Sequence, residues 1–255
     1  MSVRSSLKLV LLAATLLALL MLSARPRADD SDVARSWTGA MAFLPGDPNS
    51  MGVDKLPPDR RRPVVLYMHG CGGMNQENDI PWARYVASQG FIVVAPDRFA
   101  RANKEPSCWP ARNPAVMPMR LEELAYALAQ IKASPWADPA NVFVMGFSEG
   151  ADAVGESRIG GIRGAIISSW TCQRVPDISL PAGIPVLSIL WDDEHSLMRW
   201  LPRIKGTCGD KFESRNGFQN VALRGKGHNT YGESAARDAV AKFLRDNLTH
   251  KAAAR

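Results

Sequence analysis

The sequence is poor in the residues that would support several common kinds of site. It holds only four cysteines, no two of which form a Cys-x-x-Cys pair, so a zinc site is not predicted. It has no internal repeat of solenoid or propeller length and no low-complexity run, which argues against repeat architectures and disorder. Its main apolar run, Leu9 to Leu22, is shorter than the ~20 residues that a membrane span needs.

The chain also lacks a strong charge of one sign. The formal net charge is +6, and part of it lies in the first 24 residues. Without Arg4 and Lys8 there are 29 basic and 25 acidic residues, a balance of +4. This balance is too mild to indicate a nucleic-acid partner.

The N-terminal segment has the pattern of a secretory signal. A basic start is followed by the apolar run and then by small residues, which predicts a signal peptide over residues 1–24 with cleavage after Ala24. The alternative is an uncleaved N-terminal anchor, which would be the chain's one stable membrane contact. We therefore expect an exported protein, either periplasmic or extracellular.

An even number of cysteines in an exported chain favours disulfides. Cys71, Cys108, Cys172 and Cys208 all follow the signal and lie in predicted loops at one end of the sheet. We expect at least one disulfide, with Cys172–Cys208 as the first choice among the possible pairings.

The remaining chain predicts one α/β domain, a mostly parallel sheet flanked by helices. Residues 25–62 form a lead-in, flexible over 25–35, with a possible edge strand at 37–44. The main domain spans residues 63–250, in which apolar runs of buried-strand type alternate with helical segments. The strands are predicted at 63–68, 91–95, 141–145, 165–168, 186–190 and 219–223, and the clearest helices at 79–89, 119–133 and 233–248.

The strongest chemical signal is Gly146-Phe147-Ser148-Glu149-Gly150, between a predicted strand and a predicted helix. A tight strand-to-helix turn crowds its own backbone, so small residues are needed two before and two after the serine. Such a turn lifts the hydroxyl above the sheet. Ser148 is therefore the candidate nucleophile.

A serine hydroxyl needs a base to take its proton, and the chain offers four histidines. His228 follows the last predicted strand and precedes the last helix, which places it at the same end of the sheet as Ser148. His69 is expected to support a loop, His195 to be structural, and His250 to lie in the tail. His228 is therefore the candidate general base.

The third member of such a site is a carboxylate between the serine and the histidine in sequence. Asp192, Asp193 and Glu194 follow the strand at 186–190, and one of them can orient the imidazole. The residues alone leave the three alternatives open.

The segment His69-Gly70-Cys71-Gly72-Gly73 follows another predicted strand. Its glycines allow the backbone to approach a substrate. The N–H groups of Cys71 and Glu149 are the candidate oxyanion hole.

These motifs resemble the α/β-hydrolase superfamily, and within it the dienelactone hydrolase-like branch. The similarity lies in residues 63–73, 91–99, 146–150 and 227–228 and covers roughly residues 63–248. Dienelactone hydrolase itself is associated with a cysteine nucleophile, whereas this chain has Ser148. Ungapped comparison puts the acid at Glu194. Because aspartate is commoner in the superfamily and a glycine usual before the acid is missing, we expect Asp193, with Glu194 second and Asp192 third.

The sequence and the resemblance together predict a serine hydrolase that cleaves a carboxylic ester or lactone through an acyl-enzyme. We expect a small-molecule ester-type substrate and no cofactor or metal. The alternatives are a serine peptidase on the same fold and a catalytically silent binding protein. Three tryptophans in strand-end segments, Trp109, Trp170 and Trp191, either line a pocket or belong to the core.

Overall fold

A nine-stranded sheet organises the residues that the structure describes. The structure is a computed structural model, and it describes residues 31–102, 104, 115–170, 172, 177–194, 204–205 and 208–249. The strands are β1 (Met41–Phe43), β2 (Ser50–Gly52), β3 (Arg62–Met68), β4 (Ile92–Ala95), β5 (Ala137–Phe147), β6 (Gly164–Ser168), β7 (Val186–Glu194), β8 (Ile204–Lys205) and β9 (Phe218–Gly227). The helices are α1 (Asp32–Thr38), α2 (Asp79–Ser88), α3 (Val116–Ala133), α4 (Glu149–Glu156), α5 (Gly209–Phe212) and α6 (Ser234–Asp246), with 3-10 turns at Val53–Lys55 and Arg98–Ala100.

The sheet is mostly parallel, as predicted. Its order is β2-β1-β4-β3-β5-β6-β7, with β8 and β9 both paired to β7. Neighbouring strands are parallel along the row β4-β3-β5-β6-β7, and β9 is parallel to β7. The antiparallel pairings are those of β1, β2 and β8. Because parallel strands end at the same edge, the segments after β3, β5, β7 and β9 lie together.

Helices cover both faces of the sheet, so its central strands read as continuous apolar runs. On one face, the core includes Leu124 and Ile131 of α3 and Val154 of α4. On the other face, it includes Trp82 of α2 and Phe243 of α6. Each helix therefore buries an apolar stripe against the sheet.

Residues 25–35 were expected to be a flexible lead-in, and this expectation is wrong for residues 32–35, which belong to helix α1. Its residues Val33 and Ala34 are buried, and the Asp32 carboxylate accepts a 2.9 Å hydrogen bond from Arg101 Nε. Tertiary contacts therefore order a short helix that has little local signal of its own. The predicted signal segment lies outside the described residues, and no helix among those described has the length and apolarity to cross a bilayer.

Strand β7 is longer than predicted. The apolar run ends at Leu190, but the strand continues to Glu194 because β9 lies beside it along this length. Asp192, Asp193 and Glu194 are therefore strand residues rather than turn residues, which decides how their side chains point.

Candidate active site

Ser148 is the single residue between β5 and α4. Its backbone has φ 52° and ψ −119°, a strained conformation for a residue with a side chain. The turn is anchored on both sides, because Ser148 N–H donates to Ser168 O at 2.9 Å and Ser148 O accepts from Asp152 N–H at 3.0 Å. This is the predicted nucleophile turn, with the serine at its apex.

The glycines of the motif are required by close backbone contacts. A Cβ on Gly146 would lie 2.4 Å from Gly150 O, and a Cβ on Gly150 would lie 2.0 Å from Met68 O. Both distances are far below van der Waals contact. The small residues therefore let α4 start directly against the ends of β5 and β3.

His228 lies beside the serine, as predicted. Its Nε2 is 3.1 Å from Ser148 Oγ, within the reach expected of a base and its nucleophile. The imidazole packs against the Phe147 ring at 5.0 Å between centroids. The Ser169 hydroxyl donates to the His228 carbonyl oxygen, so both the ring and the backbone of His228 are held.

The carboxylate that contacts His228 belongs to Glu194, and the prediction of Asp193 is wrong. Glu194 Oε1 is 2.5 Å from His228 Nδ1, and the Glu194 side chain is buried. The Asp193 carboxylate instead lies 3.9 Å from Lys226 Nζ. Asp192 accepts a hydrogen bond from Gly225 N–H at 2.9 Å.

Strand register explains this choice. In the pairing of β7 with β9, Glu194 is opposite Gly227, the residue before His228, and Asp193 is opposite Lys226. Successive side chains of a strand point to opposite faces. Glu194 therefore points to the histidine side, and Asp193 points away from it.

Trp191 is partly buried and packs against the histidine turn. A Cβ on Gly227 would lie 2.2 Å from Trp191 Cε2, and Trp191 Nε1 donates to Asn229 O at 3.2 Å. Trp170 is fully buried in the core and stacks on Phe212. Trp109 lies outside the described residues.

The turn after His228 is also fixed by polar contacts that the sequence did not reveal. Thr230 Oγ1 shares a 2.7 Å hydrogen bond with Ser168 Oγ and accepts one from Trp82 Nε1 at 3.1 Å. Asn78 Oδ1 accepts from the N–H groups of Thr230 and Tyr231. Nothing in the local sequence around Asn78 signals this role, because its partners are distant in the chain.

The two candidate oxyanion donors follow neighbouring strands. Cys71 comes after β3 and Glu149 after β5, and these two strands pair directly. Glu149 N–H belongs to the first turn of α4, whose N–H groups have no carbonyl within the helix. Cys71 is disulfide-bonded. Cys108 lies outside the described residues, as do His195 and His250.

The loop that carries Cys71 is supported from within the protein. Gly70 N–H donates to Asp79 Oδ1 at 3.2 Å, and His69 Nδ1 lies 2.7 Å from Gly70 O. Burial lowers the pKa of His69 well below its usual value, and the nearby Arg120 lowers it further. His69 is therefore neutral and supports the loop, in the role expected of it.

A group of buried charges beside Ser148 was not predicted. It consists of Arg98, Arg120, Glu123 and Glu149, which are joined by ion pairs. The sequence contains one indication of these buried charges. Arg120 and Glu123 lie next to Leu124, on the face of α3 that carries the apolar stripe. That face includes Arg120 and Glu123 among its buried residues.

Cys172 and Cys208 form the predicted disulfide, with Cα atoms 5.8 Å apart. Both residues are fully buried in the core next to Trp170 and Phe212. This bond is consistent with an exported protein. In the described part of the chain, no group of three His, Cys, Asp or Glu side chains is arranged to hold a metal ion.

Comparison with known proteins bears on the family resemblance and on the fold. The profile of the dienelactone hydrolase family matches residues 52–161, from β2 through the nucleophile turn and α4, which confirms the predicted resemblance. The match supports hydrolase activity on this fold. No curated protein sequence matches the chain.

Solved structures show that the fold is that of the α/β hydrolases. A serine hydrolase without a lid from Xanthomonas campestris has a TM-score of 0.57 at 17% identity, over 83% of this chain and 90% of its own. An esterase from Pyrococcus furiosus has a TM-score of 0.55 at 15% identity, over 74% and 85%. Dipeptidyl peptidase 4 from Porphyromonas gingivalis has 0.52 at 16%, over 82% of this chain but 33% of its own.

Proposed function

Because the chain has the α/β-hydrolase fold, we propose that it is a serine hydrolase that cleaves a carboxylic ester or lactone of a small molecule through an acyl-enzyme. One observation carries the proposal. Glu194, His228 and Ser148 form a continuous series of hydrogen bonds, with 2.5 Å from Glu194 to His228 and 3.1 Å from His228 to Ser148. This order of acid, base and nucleophile suits acyl transfer.

In the proposed first step, Ser148 Oγ attacks the carbonyl carbon and His228 Nε2 takes the hydroxyl proton. The imidazole can do so because its other nitrogen, Nδ1, carries a proton that it donates to Glu194. Proton transfer makes the ring an imidazolium, and the buried Glu194 carboxylate stabilises that charge. The N–H groups of Cys71 and Glu149 are the proposed donors to the oxyanion that forms.

In the following steps, His228 returns the proton. It protonates the departing alkoxide, which leaves the acyl group bonded to Ser148. His228 then takes a proton from water as the water oxygen attacks the acyl carbon, and the Ser148 oxygen leaves with that proton. The chain's own side chains thus supply the nucleophile and the base, and its backbone supplies the proposed oxyanion donors.

The central test is labelling with a fluorophosphonate probe, combined with hydrolysis of p-nitrophenyl esters of increasing chain length. The wild-type protein should be labelled and should turn over at least one ester. Ser148→Ala should lose the label and on the order of 10⁴-fold in rate or more. Ser88→Ala, on the exposed side of α2, is the matched control and should behave as wild type. Near-full activity of Ser148→Ala would contradict the proposal.

The same experiments separate the alternatives. A silent binding protein would neither react with the probe nor hydrolyse any ester. A serine peptidase would react with the probe and would cleave peptidyl p-nitroanilides as well as the more reactive esters, so turnover of the anilides is the readout that identifies it. We expect labelling, ester hydrolysis, and little cleavage of the anilides.

We further propose that residues 1–24 direct export and are then removed. The buried disulfide supports this proposal, because such bonds form in oxidising compartments. After expression with its own N-terminus, the protein recovered outside the cytoplasm should have the mass of a chain that begins at Arg25. Full-length protein in the membrane fraction would favour the uncleaved anchor.

A further inference from the structure

Four charged side chains lie together next to Ser148. Arg98, Arg120 and Glu123 expose 3%, 1% and 1% of their side chains, and Glu149 exposes 12%. Removing ions from water costs several kcal/mol per ion, and replacing a buried ion pair with apolar residues is often neutral or stabilising. The charges are balanced, two against two, but stability alone gives little reason for such a group at this place.

Arg120 is the centre of the group. Its guanidinium donates to Glu123 Oε2 at 2.5 Å and to the backbone carbonyl of His69 at 2.6 Å. Its Nε lies 3.6 Å from Glu149 Oε1, and the same oxygen accepts a 3.3 Å hydrogen bond from Arg98. One side chain of α3 therefore contacts both the loop after β3 and the first residue of α4.

These two segments are the ones that carry the proposed oxyanion donors. His69 begins the loop that contains Cys71, and Glu149 itself directly follows the nucleophile. The two N–H groups are distant in sequence, so their relative position depends on tertiary contacts. An oxyanion hole works only if its donors are held in place before the reaction. The guanidinium hydrogen-bonds the His69 carbonyl with one arm and Glu123 with the other, and it attracts the Glu149 carboxylate as an ion pair at 3.6 Å.

We infer that Arg120 is a positioning residue of the oxyanion hole, which fixes the loop of Cys71 relative to Glu149. The inference rests on the proposed function. Arg120 does not touch the reacting atoms; it acts through the His69 carbonyl and the Glu149 carboxylate. Arg98 is the second cation on Glu149, so the carboxylate is held from two sides.

The direct test is Arg120→Lys, which keeps the charge but loses the fork. The concentration of reactive sites is first measured by titration with a fluorophosphonate, so that rates refer to folded, reactive protein. Per reactive site, kcat/KM for a p-nitrophenyl ester should fall about 10- to 100-fold. KM should stay near the wild-type value, because the oxyanion forms only after binding.

A second readout distinguishes positioning from packing. A trifluoromethyl ketone adds to the serine and forms an oxyanion, so its inhibition constant should rise by the same factor by which kcat/KM falls. The non-fluorinated ketone, which stays a carbonyl, should bind the variant and the wild type alike. The pH midpoint of the rate should not move, because His228 and Glu194 are unchanged.

Two charge-matched variants keep the test independent of the folding of Arg120→Lys. Glu149→Gln removes the negative charge that contacts Arg120, and Glu122→Gln removes one from the exposed side of α3, where Glu122 pairs with Arg101. Glu149→Gln loosens the turn that follows the nucleophile and should lower kcat/KM per site about tenfold or more. Glu122 exposes 54% of its side chain, so Glu122→Gln should stay within about threefold of wild type, as expected for a surface substitution.

Each outcome bears on one claim. Unchanged kcat/KM per reactive site in Arg120→Lys or Glu149→Gln would overturn the inference, as would equal losses in Glu149→Gln and Glu122→Gln. The inference would also be overturned if the inhibition constant of the trifluoromethyl ketone did not rise by the factor by which kcat/KM falls. A wild-type protein without probe labelling or ester turnover would instead contradict the proposed function.

Discussion

Glu194 lies 2.5 Å from His228 because of strand pairing rather than turn conformation. Glu194 is opposite Gly227 in the register of β7 and β9, so the sheet itself brings the carboxylate to the next residue, His228. Trp191 packs closely over Gly227 and holds the two strand ends together. The acid of this site is therefore fixed by backbone hydrogen bonds, and a change of register by one residue would exchange it for Asp193.

The first prediction concerns this acid. Glu194→Gln should lower kcat for ester hydrolysis on the order of 10³- to 10⁴-fold, because an isosteric amide favours the wrong tautomer of His228 and cannot stabilise the imidazolium. Steady-state kinetics on a p-nitrophenyl ester measures the effect. The fold should be kept, since shape and volume are unchanged.

The matched control is Asp193→Asn in the same strand. Asp193 is partly exposed and its nearest cation, Lys226, is 3.9 Å away and largely in solvent, so the change should cost little. We expect kcat within about threefold of wild type. If Asp193→Asn lost activity and Glu194→Gln kept it, the acid assigned from the geometry would be incorrect.

The sequence predicted those parts of the site that have a local signal. Ser148 is marked by a strand, two glycines and a helix, all within a few residues. Strand β3 and helix α2 were also predicted nearly to their ends, because a continuous apolar run and a helical period are local patterns. His228 followed from its place after a predicted strand.

The sequence could not predict what depends on register or on distant partners. The acid was misassigned because the apolar run of β7 stops at Leu190, while the strand continues through Glu194 against β9. Helix α1 was missed because its order comes from contacts such as that of Asp32 with Arg101. The ion pairs of Arg120 likewise join residues far apart in the chain.

The second prediction concerns the Cys172–Cys208 disulfide, whose cysteines are 36 residues apart in sequence. Closing a loop of this length should stabilise the protein by about 4 kcal/mol through the unfolded state. The double variant Cys172→Ala/Cys208→Ala should therefore melt about 8 to 16 °C lower. Thermal unfolding of both proteins with and without reductant measures this difference in Tm. The double variant lacks the Cys172–Cys208 bond, so reductant cannot lower its Tm by breaking that bond. Equal Tm values for the two oxidised proteins would contradict the prediction.

The third prediction concerns the pH dependence of stability through Asp79. Burial raises the pKa of its carboxyl from 3.8 to about 6, although hydrogen bonds from Gly70 and Tyr67 oppose the shift. The folded protein thus binds this proton more tightly than the unfolded chain. The resulting stabilisation is present below pH 3.8 and is lost as pH rises to 6, a change of about 3 kcal/mol.

Urea unfolding at pH 4, 5, 6 and 7 should show this effect in the comparison with Asp79→Asn. The free energy of unfolding of the wild type should fall relative to that of the variant as pH rises, and the difference should level off above pH 6. The exposed Asp59→Asn serves as a control for loss of one charge. Parallel pH profiles of wild type and Asp79→Asn would contradict the prediction.

The fourth prediction concerns the close approach of α4 to β3. In Gly150→Ala, the new methyl group would lie 2.0 Å from Met68 O, an overlap with backbone that no side-chain movement relieves. The start of α4 must therefore shift, which should lower the free energy of unfolding by about 1 to 3 kcal/mol. The same shift displaces Glu149 N–H from the proposed oxyanion hole, so kcat/KM should fall on the order of 100-fold.

Gly160→Ala is the control for this change, because Gly160 is exposed and a Cβ there meets no atom within 4 Å. It should keep wild-type kcat/KM and melt within a degree or two of wild type, about the effect of a surface substitution. Thermal unfolding and ester kinetics on both variants complete the comparison. If Gly150→Ala matched Gly160→Ala in stability and in rate, the contact between α4 and the end of β3 would not be what keeps the nucleophile turn in place.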